Sequence, residues 1–189
     1  MRHLLSVLLA LILLTPLALP AKARQVGDVT LEDRIQVKDQ ALELNGAGVR
    51  HKFFLDVYVA GLYLPHASHD GNTVVTADEV QSVHLVITSS QITRDRLLES
   101  IEEGVQQSAG KDFPRYAPRM QELREAINFK VKPGDVFEFT YIPGEGTHVT
   151  MNGKQLRVLP EFEFKKVLFG IWLGPDPIQP SLKKELLAL

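Results

Sequence analysis

One stretch of this 189-residue chain constrains its fold more than any other: Phe53–Leu64, FFLDVYVAGLYL. It is rich in Val, Phe, Tyr and Leu, so it reads as a β-strand. Its two alternating faces are Phe53, Leu55, Val57, Val59 and Tyr63 on one side and Phe54, Asp56, Tyr58, Ala60 and Leu62 on the other. Both are largely apolar, so the strand belongs in the middle of a sheet, covered on both sides. A fold that leaves one face of this strand in water is thereby excluded.

The rest of the pattern builds around that strand. Val29–Val37 reads as a first strand with a break at Lys38-Asp39. Ala41–Leu44 alternates and runs into Asn45-Gly46-Ala47-Gly48, where small residues permit a bulge or a close backbone approach. Ser82–Ser89 is a strand with Val83, Leu85 and Ile87 on one face. The period then changes. From Thr93, an N-cap residue, Leu97, Ile101, Val105 and Ser108 recur at helical spacing. A second helix is expected over Tyr116–Asn128, with Tyr116, Met120, Leu123 and Ile127 in one stripe. Residues 135–142, 147–151 and 154–159 form a meander, its last turn marked by Asn152-Gly153. Helices follow at Glu161–Leu173, ending in a C′ glycine and a proline stop at Gly174-Pro175, and at Ser181–Leu187. Strands, helices, strands and helices joined by hairpins indicate an α+β domain: one large antiparallel sheet with helices layered on one face.

The N-terminus reads as an address. Arg2 and His3 precede Leu4–Leu14, an almost wholly aliphatic run, followed by Pro16, Pro20 and Ala21-Lys22-Ala23. This is the pattern of a signal peptide cleaved after Ala23, leaving a single domain over residues 24–189 in the periplasm or outside the cell. The apolar run is too short for a span of about 20 residues, so no stable membrane insertion is expected after cleavage. Losing Arg2 and Lys22 takes the formal charge from −2 to −4, which speaks against nucleic acid as a partner. With no cysteine, disulfides, thiolate metal sites and a cysteine nucleophile are excluded.

The common catalytic signatures are missing: no P-loop, nucleophile elbow, HExxH or EF-hand loop occurs. Gly46-Ala47-Gly48 leads into a strand rather than a helix, so it is no dinucleotide fingerprint. His66 and His69 sit beside Asp70 at a spacing able to chelate a metal, but a polar surface loop accounts for them, and His84 reads as a half-buried strand residue. No metal or cofactor is expected. What stands out is a cation and a phenol within apolar sequence, Arg50 and Tyr58. A buried guanidinium needs an anionic or hydrogen-bonding partner. That partner is either internal (Asp56, Glu43 or Glu103) or the carboxylate or enolate of a ligand, which Arg grips with a planar fork and Tyr with one donor. Arg96 poses the same choice, with a solvated helix face the simpler account.

The same residues carry a resemblance. Leu44–Arg50 followed by Phe53–Leu64 resembles the signature hairpin of the chalcone isomerase-like family. Phe169-Gly170-Ile171-Trp172-Leu173-Gly174-Pro175, then Pro180-Ser181-Leu182-Lys183 and Leu186-Leu187, is similar to the ending of its bacterial secreted branch. Gly134-Asp135, Tyr141-Ile142-Pro143-Gly144 and Gly146-Thr147 fall between them in that order. The resemblance implies an open-faced β-sandwich with a ligand cleft between sheet and helices. It also implies two candidate functions. In the plant isomerases an Arg, a Thr, a Tyr and an Asn act together. Here Arg50 holds the Arg position, Tyr58 stands where they have Thr, and Arg96 and Glu103 fall at the other two, which leaves one catalytic residue of four. The Arg and Tyr pair instead resembles the family's fatty-acid-binding members. The expectation is a non-catalytic periplasmic binding protein for a fatty acid or similar small amphipathic carboxylate. Arg50 and Tyr58 would hold its head, and Phe54 and Leu62 would line the cleft. The alternative is an isomerase or intramolecular lyase acting on a small phenolic or enone compound, with Arg50 as clamp and Tyr58 as proton donor or water holder. Oligomeric state is open.

Overall fold

A computed structural model describes residues 23–189. Of the expected signal peptide, only Ala23 falls among them, and it begins the first strand.

Among the described residues, nine strands and five α-helices follow one another. β1 (Ala23–Val26) and β2 (Val29–Glu32) pair as a separate antiparallel hairpin. β3 (Arg34–Val37), β4 (Gln40–Lys52), β5 (Leu55–Leu64), β6 (Gln81–Ile87), β7 (Val136–Ile142), β8 (Gly146–Met151) and β9 (Lys154–Leu159) form one sheet in sequence order. Every neighbouring pair is antiparallel. α1 (Gly71–Thr76) lies between β5 and β6; α2 (Arg94–Ala109) and α3 (Phe113–Ala126) lie between β6 and β7; α4 (Phe162–Leu173) and α5 (Pro180–Leu186) close the chain. Most of the core lies between the sheet and these helices. α4 is its centre, buried from Phe164 to Leu173 on nearly every side. It crosses α2 closely enough that a Cβ at Gly170 would lie 2.2 Å from the Ser108 hydroxyl.

The expected α+β architecture stands, and β5 is indeed central and covered on both faces. Leu31, Leu42, Leu44, Val59 and Tyr63 make a second, smaller core on the face away from the helices, covered by the β1–β2 hairpin. The single strand expected over Val29–Val37 is therefore two, parted at Asp33 and belonging to different sheets.

Two bulges decide which side chains face the helices. The register runs Leu44 opposite Tyr63, then Gly46 opposite Leu62, so Asn45 is an extra residue. A one-residue insertion reverses the alternation. Before it, Leu42 and Leu44 face the small core; after it, Gly46, Gly48 and Arg50 face the helices. The second bulge makes Val57 the extra residue, between the pairs Arg50–Tyr58 and His51–Asp56. Val57 and Tyr58 both join the helix-side core as a result. This overturns the expected face assignment, which put Leu55 and Val57 with Val59 and Tyr63, because strict alternation cannot anticipate an inserted residue.

Asn45 and the glycines after it seat the C-terminal helix. Asn45 Nδ2 donates to Ser68 O at 2.9 Å and to Leu186 O at 2.8 Å, and Ser68 N donates to Asn45 Oδ1. A Cβ at Gly46 would lie 2.2 Å from the Glu185 carbonyl oxygen. Since α5 backbone blocks the space, Gly46→Ala is expected to destabilise the protein by about 1–3 kcal/mol, the usual range for overpacking. A shift in the urea midpoint measures it, and an unchanged midpoint would show that α5 moves away freely.

Three further expectations need correction. Phe53 and Phe54 form the β4–β5 turn rather than the start of a strand, and Phe53 has φ +57°. The helix expected over 116–128 runs from Phe113 to Ala126, with Pro114 in its first turn. Gly174 caps α4 with φ −65°, so it is no left-handed C′ glycine. Its missing side chain instead leaves room for the Gly170 carbonyl, 2.6 Å from where a Cβ would stand.

Candidate functional site

At its turn end the β4–β5 hairpin meets the start of α2, whose N-cap Thr93 accepts from Arg96 N. Between them lies a cavity of about 340 Å³, lined by Val57, Tyr58, Ile92 and Leu97 in its depth and by Arg50, Lys52, Phe53, Leu55, Arg96, Glu99 and Ser100 towards its mouth. That volume falls in the usual range for small-molecule sites.

Arg50 and Tyr58 meet here as direct cross-strand partners, Arg50 half-buried and Tyr58 buried. None of the internal carboxylates considered for Arg50 reaches it. Asp56 binds His51 at 2.6 Å, Glu43 pairs with Arg34, and Glu103 lies 3.6 Å from Lys52. Among the described residues Arg50 has no carboxylate partner. It is held by neutral acceptors, donating to the His51 carbonyl and to Gln179 Oε1 at 3.1 Å. Gln179, just before α5, is in turn fixed by His51 N donating to its Oε1 at 2.8 Å and by its own Nε2 donating to Val49 O at 3.0 Å. Arg96 donates to Gln91 O at 2.8 Å and is also without a carboxylate partner among the described residues.

The Tyr58 hydroxyl accepts from Trp172 Nε1 at 3.0 Å. Burial pushes its pKa above the ordinary value, with the Trp172 hydrogen bond and the Arg50 charge opposing, so it remains a phenol at neutral pH. The groups that approach its oxygen, an indole N–H and a guanidinium, are both donors. None of the hydrogen bonds among the described residues uses its own proton. The pair thus presents a fixed positive charge and an uncommitted O–H at the polar end of an apolar cavity. Chemically, that arrangement suits an anionic or carbonyl oxygen.

Two other expected lining residues are not part of this site. Phe54 stands at the hairpin tip with its side chain in solvent, since the turn takes the first two residues of the expected strand. Leu62 is wholly buried beneath the helices, further along β5 than the cavity reaches. Phe53 and Leu55 take their place. Gln179 and Trp172 were missed as site residues. An indole N–H in a helix apolar on all sides must find an acceptor, which was a usable signal for Trp172; Gln179 carries none. Of the histidines, His69 donates to Leu187 O at 2.7 Å and His84 packs at a tilt against Tyr63, their ring centres 4.6 Å apart. Among the described residues no group of three metal-type side chains converges.

An antiparallel sheet with helices on one face and a cavity at their junction defines an open-faced α+β sandwich. Residues 23–188 match the family described as chalcone isomerase-like, and the chain belongs to that family. No curated protein matches. Among solved structures, the chain is similar to the crystal structure of a fatty-acid binding protein from Arabidopsis thaliana, with a TM-score of 0.68 and 14% identity over 85% of this chain and 92% of that one. At that identity the likeness speaks for the fold.

Proposed function

We propose that this protein binds a fatty acid or a similar small amphipathic carboxylate in the cavity between the β4–β5 hairpin and α2, without transforming it. The observation that carries the proposal is Arg50: a half-buried guanidinium beside a phenol, in a mostly apolar cavity, with no carboxylate of its own among the described residues. The ligand carboxylate accepts from Arg50 and from the Tyr58 O–H, and the chain lies against Val57, Ile92 and Leu97. The fatty-acid binding activity named for the Arabidopsis relative supports the same reading. Residues 1–23 act as a signal peptide, so the domain of residues 24–189 works in the periplasm or outside the cell.

Native mass spectrometry of the protein with palmitic acid tests the proposal: a one-to-one complex is expected, with the corresponding alcohol bound far more weakly. A spectrum that stays free of ligand would overturn it. Tyr58→Phe removes one donor and keeps the ring, so acid affinity is expected to fall by roughly tenfold, the worth of one hydrogen bond to a charged group. Isothermal titration measures that change, and an unaltered affinity would remove Tyr58 from the site.

A further inference from the structure

We propose that the β4–β5 tip docks on an anionic lipid surface and brings the mouth of the cavity against it, a step that rests on the cavity's being the site of an amphipathic acid. Leaving out the C-terminal Leu189, the large apolar side chains exposed among the described residues are Phe53, Phe54 and Leu55, consecutive at this one turn. Phe53 is 90% and Phe54 103% exposed. A bulky residue rarely adopts the left-handed conformation that Phe53 has, and the backbone holds both rings outward. Apolar clusters of this kind on a soluble surface mark contacts with membranes or partners.

The charges beside the rings select the lipid surface. The run Arg50-His51-Lys52-Phe53-Phe54-Leu55 contains no acid, and the first acid after it, Asp56, is held by His51. Arg96, on the first turn of α2, adds a third cation at the mouth, against the single acid of the lining, Glu99. The Glu103 partner of Lys52 is exposed and 3.6 Å away, a pairing weak enough to give way to a phosphate. Aromatic tips with basic shoulders settle in the headgroup layer, with rings towards the acyl boundary and cations on phosphates. Phe53 belongs to both the tip and the cavity wall, so an acyl chain leaving the bilayer passes along an apolar path.

Co-sedimentation with vesicles tests this, using phosphatidylcholine alone and phosphatidylcholine mixed with phosphatidylglycerol. The protein is expected in the pellet with the anionic vesicles and to leave it as salt is raised. Phe54 does not line the cavity, so Phe54→Ser is expected to lower vesicle partition roughly ten- to hundredfold, the effect of withholding one phenylalanine from an apolar phase. Its palmitate binding in solution should be unchanged. Phe54→Trp should shift its fluorescence to the blue on meeting anionic vesicles. Absence from both pellets would overturn the proposal, as would partition indifferent to Phe54→Ser, or a dimer that Phe54→Ser converts to monomer without any vesicle binding. Vesicle docking without palmitate binding in solution would leave the tip's role standing and remove the cavity's; the reverse pattern would do the opposite.

Discussion

Arg50→Ala is expected to fold normally and to lose acid binding by thirtyfold or more. Truncating one partner of a hydrogen-bonded charge pair costs about 2–5 kcal/mol of binding. The folded state depends on Arg50 much less. Its contacts are one glutamine oxygen and one backbone carbonyl, both neutral acceptors near the surface that water can satisfy in its place, and Gln179 keeps its bonds to Val49 and His51 without it. A guanidinium committed to an internal carboxylate behaves differently, because its removal strands a charge and costs about 3–5 kcal/mol of stability. Titration calorimetry and urea unfolding on the same variant separate the two. Large loss of affinity with a small change in midpoint is the expected pair of results. Unchanged affinity with a large stability loss would make Arg50 a structural residue.

The largest expected stability effect lies on the far side of the core, at Lys165. This lysine is wholly buried in α4, and its ammonium donates to Val74 O at 2.9 Å, Val75 O at 3.0 Å and Ala77 O at 2.8 Å. Those carbonyls belong to the end of α1, where a helix leaves its last acceptors without intrahelical donors. The rings of Tyr141, Phe162 and Phe169 surround the same nitrogen at 5.1–5.6 Å. Lys165→Met keeps the bulk and abandons the acceptors, so a loss of about 3 kcal/mol or more is expected. Burial pulls the Lys165 pKa down to about 8 from 10.5, with Asp78 and Glu79 opposing. Between those values the unfolded chain holds a proton that the native chain has shed, so this group adds stability as pH rises through that window. Lys165→Met should remove that slope as well as lower the urea midpoint. A variant as stable as the parent would mean that α1 closes its own end.

α1 has no counterpart among the helices expected from the sequence, and Lys165 explains why. Gly71–Thr76 is six residues with four β-branched side chains in a row, a poor helix by propensity. It forms because Asp70 caps its start and Lys165, nearly ninety residues later, caps its end. No local pattern contains the second cap. The meander was far more readable, because β7 alternates cleanly and the turns on either side of β8 carry glycine; its ends fall within a residue of expectation, although the β8–β9 register slips once, at Leu156. Alternation failed where a residue is inserted, at Asn45 and Val57, and where a turn is made by Phe53-Phe54, which carries neither glycine nor asparagine.

The site divides along the same line. Arg50 and Tyr58 were readable as chemistry out of place in apolar strands. Their meeting depends on the two bulges, which turn both towards α2. Phe54 was expected in the cleft because it looked like strand, and the turn sends it into solvent, where Phe53 and Leu55 rim the cavity in its stead. Gln179 and Trp172, which hold the two polar groups in position, come from just before α5 and from α4, more than a hundred residues along the chain from the groups they hold.

The carboxyl carbon of the ligand reports most directly on the central claim. Palmitic acid labelled with carbon-13 at that position, bound to the protein and followed by NMR as pH is lowered, should give one bound resonance that stays in its ionised position below the ordinary carboxyl range, because the guanidinium favours the anion. In Arg50→Ala that resonance should titrate normally or vanish with the lost binding. A bound resonance that titrates like the free acid in both proteins would place the carboxylate away from Arg50 and contradict the account.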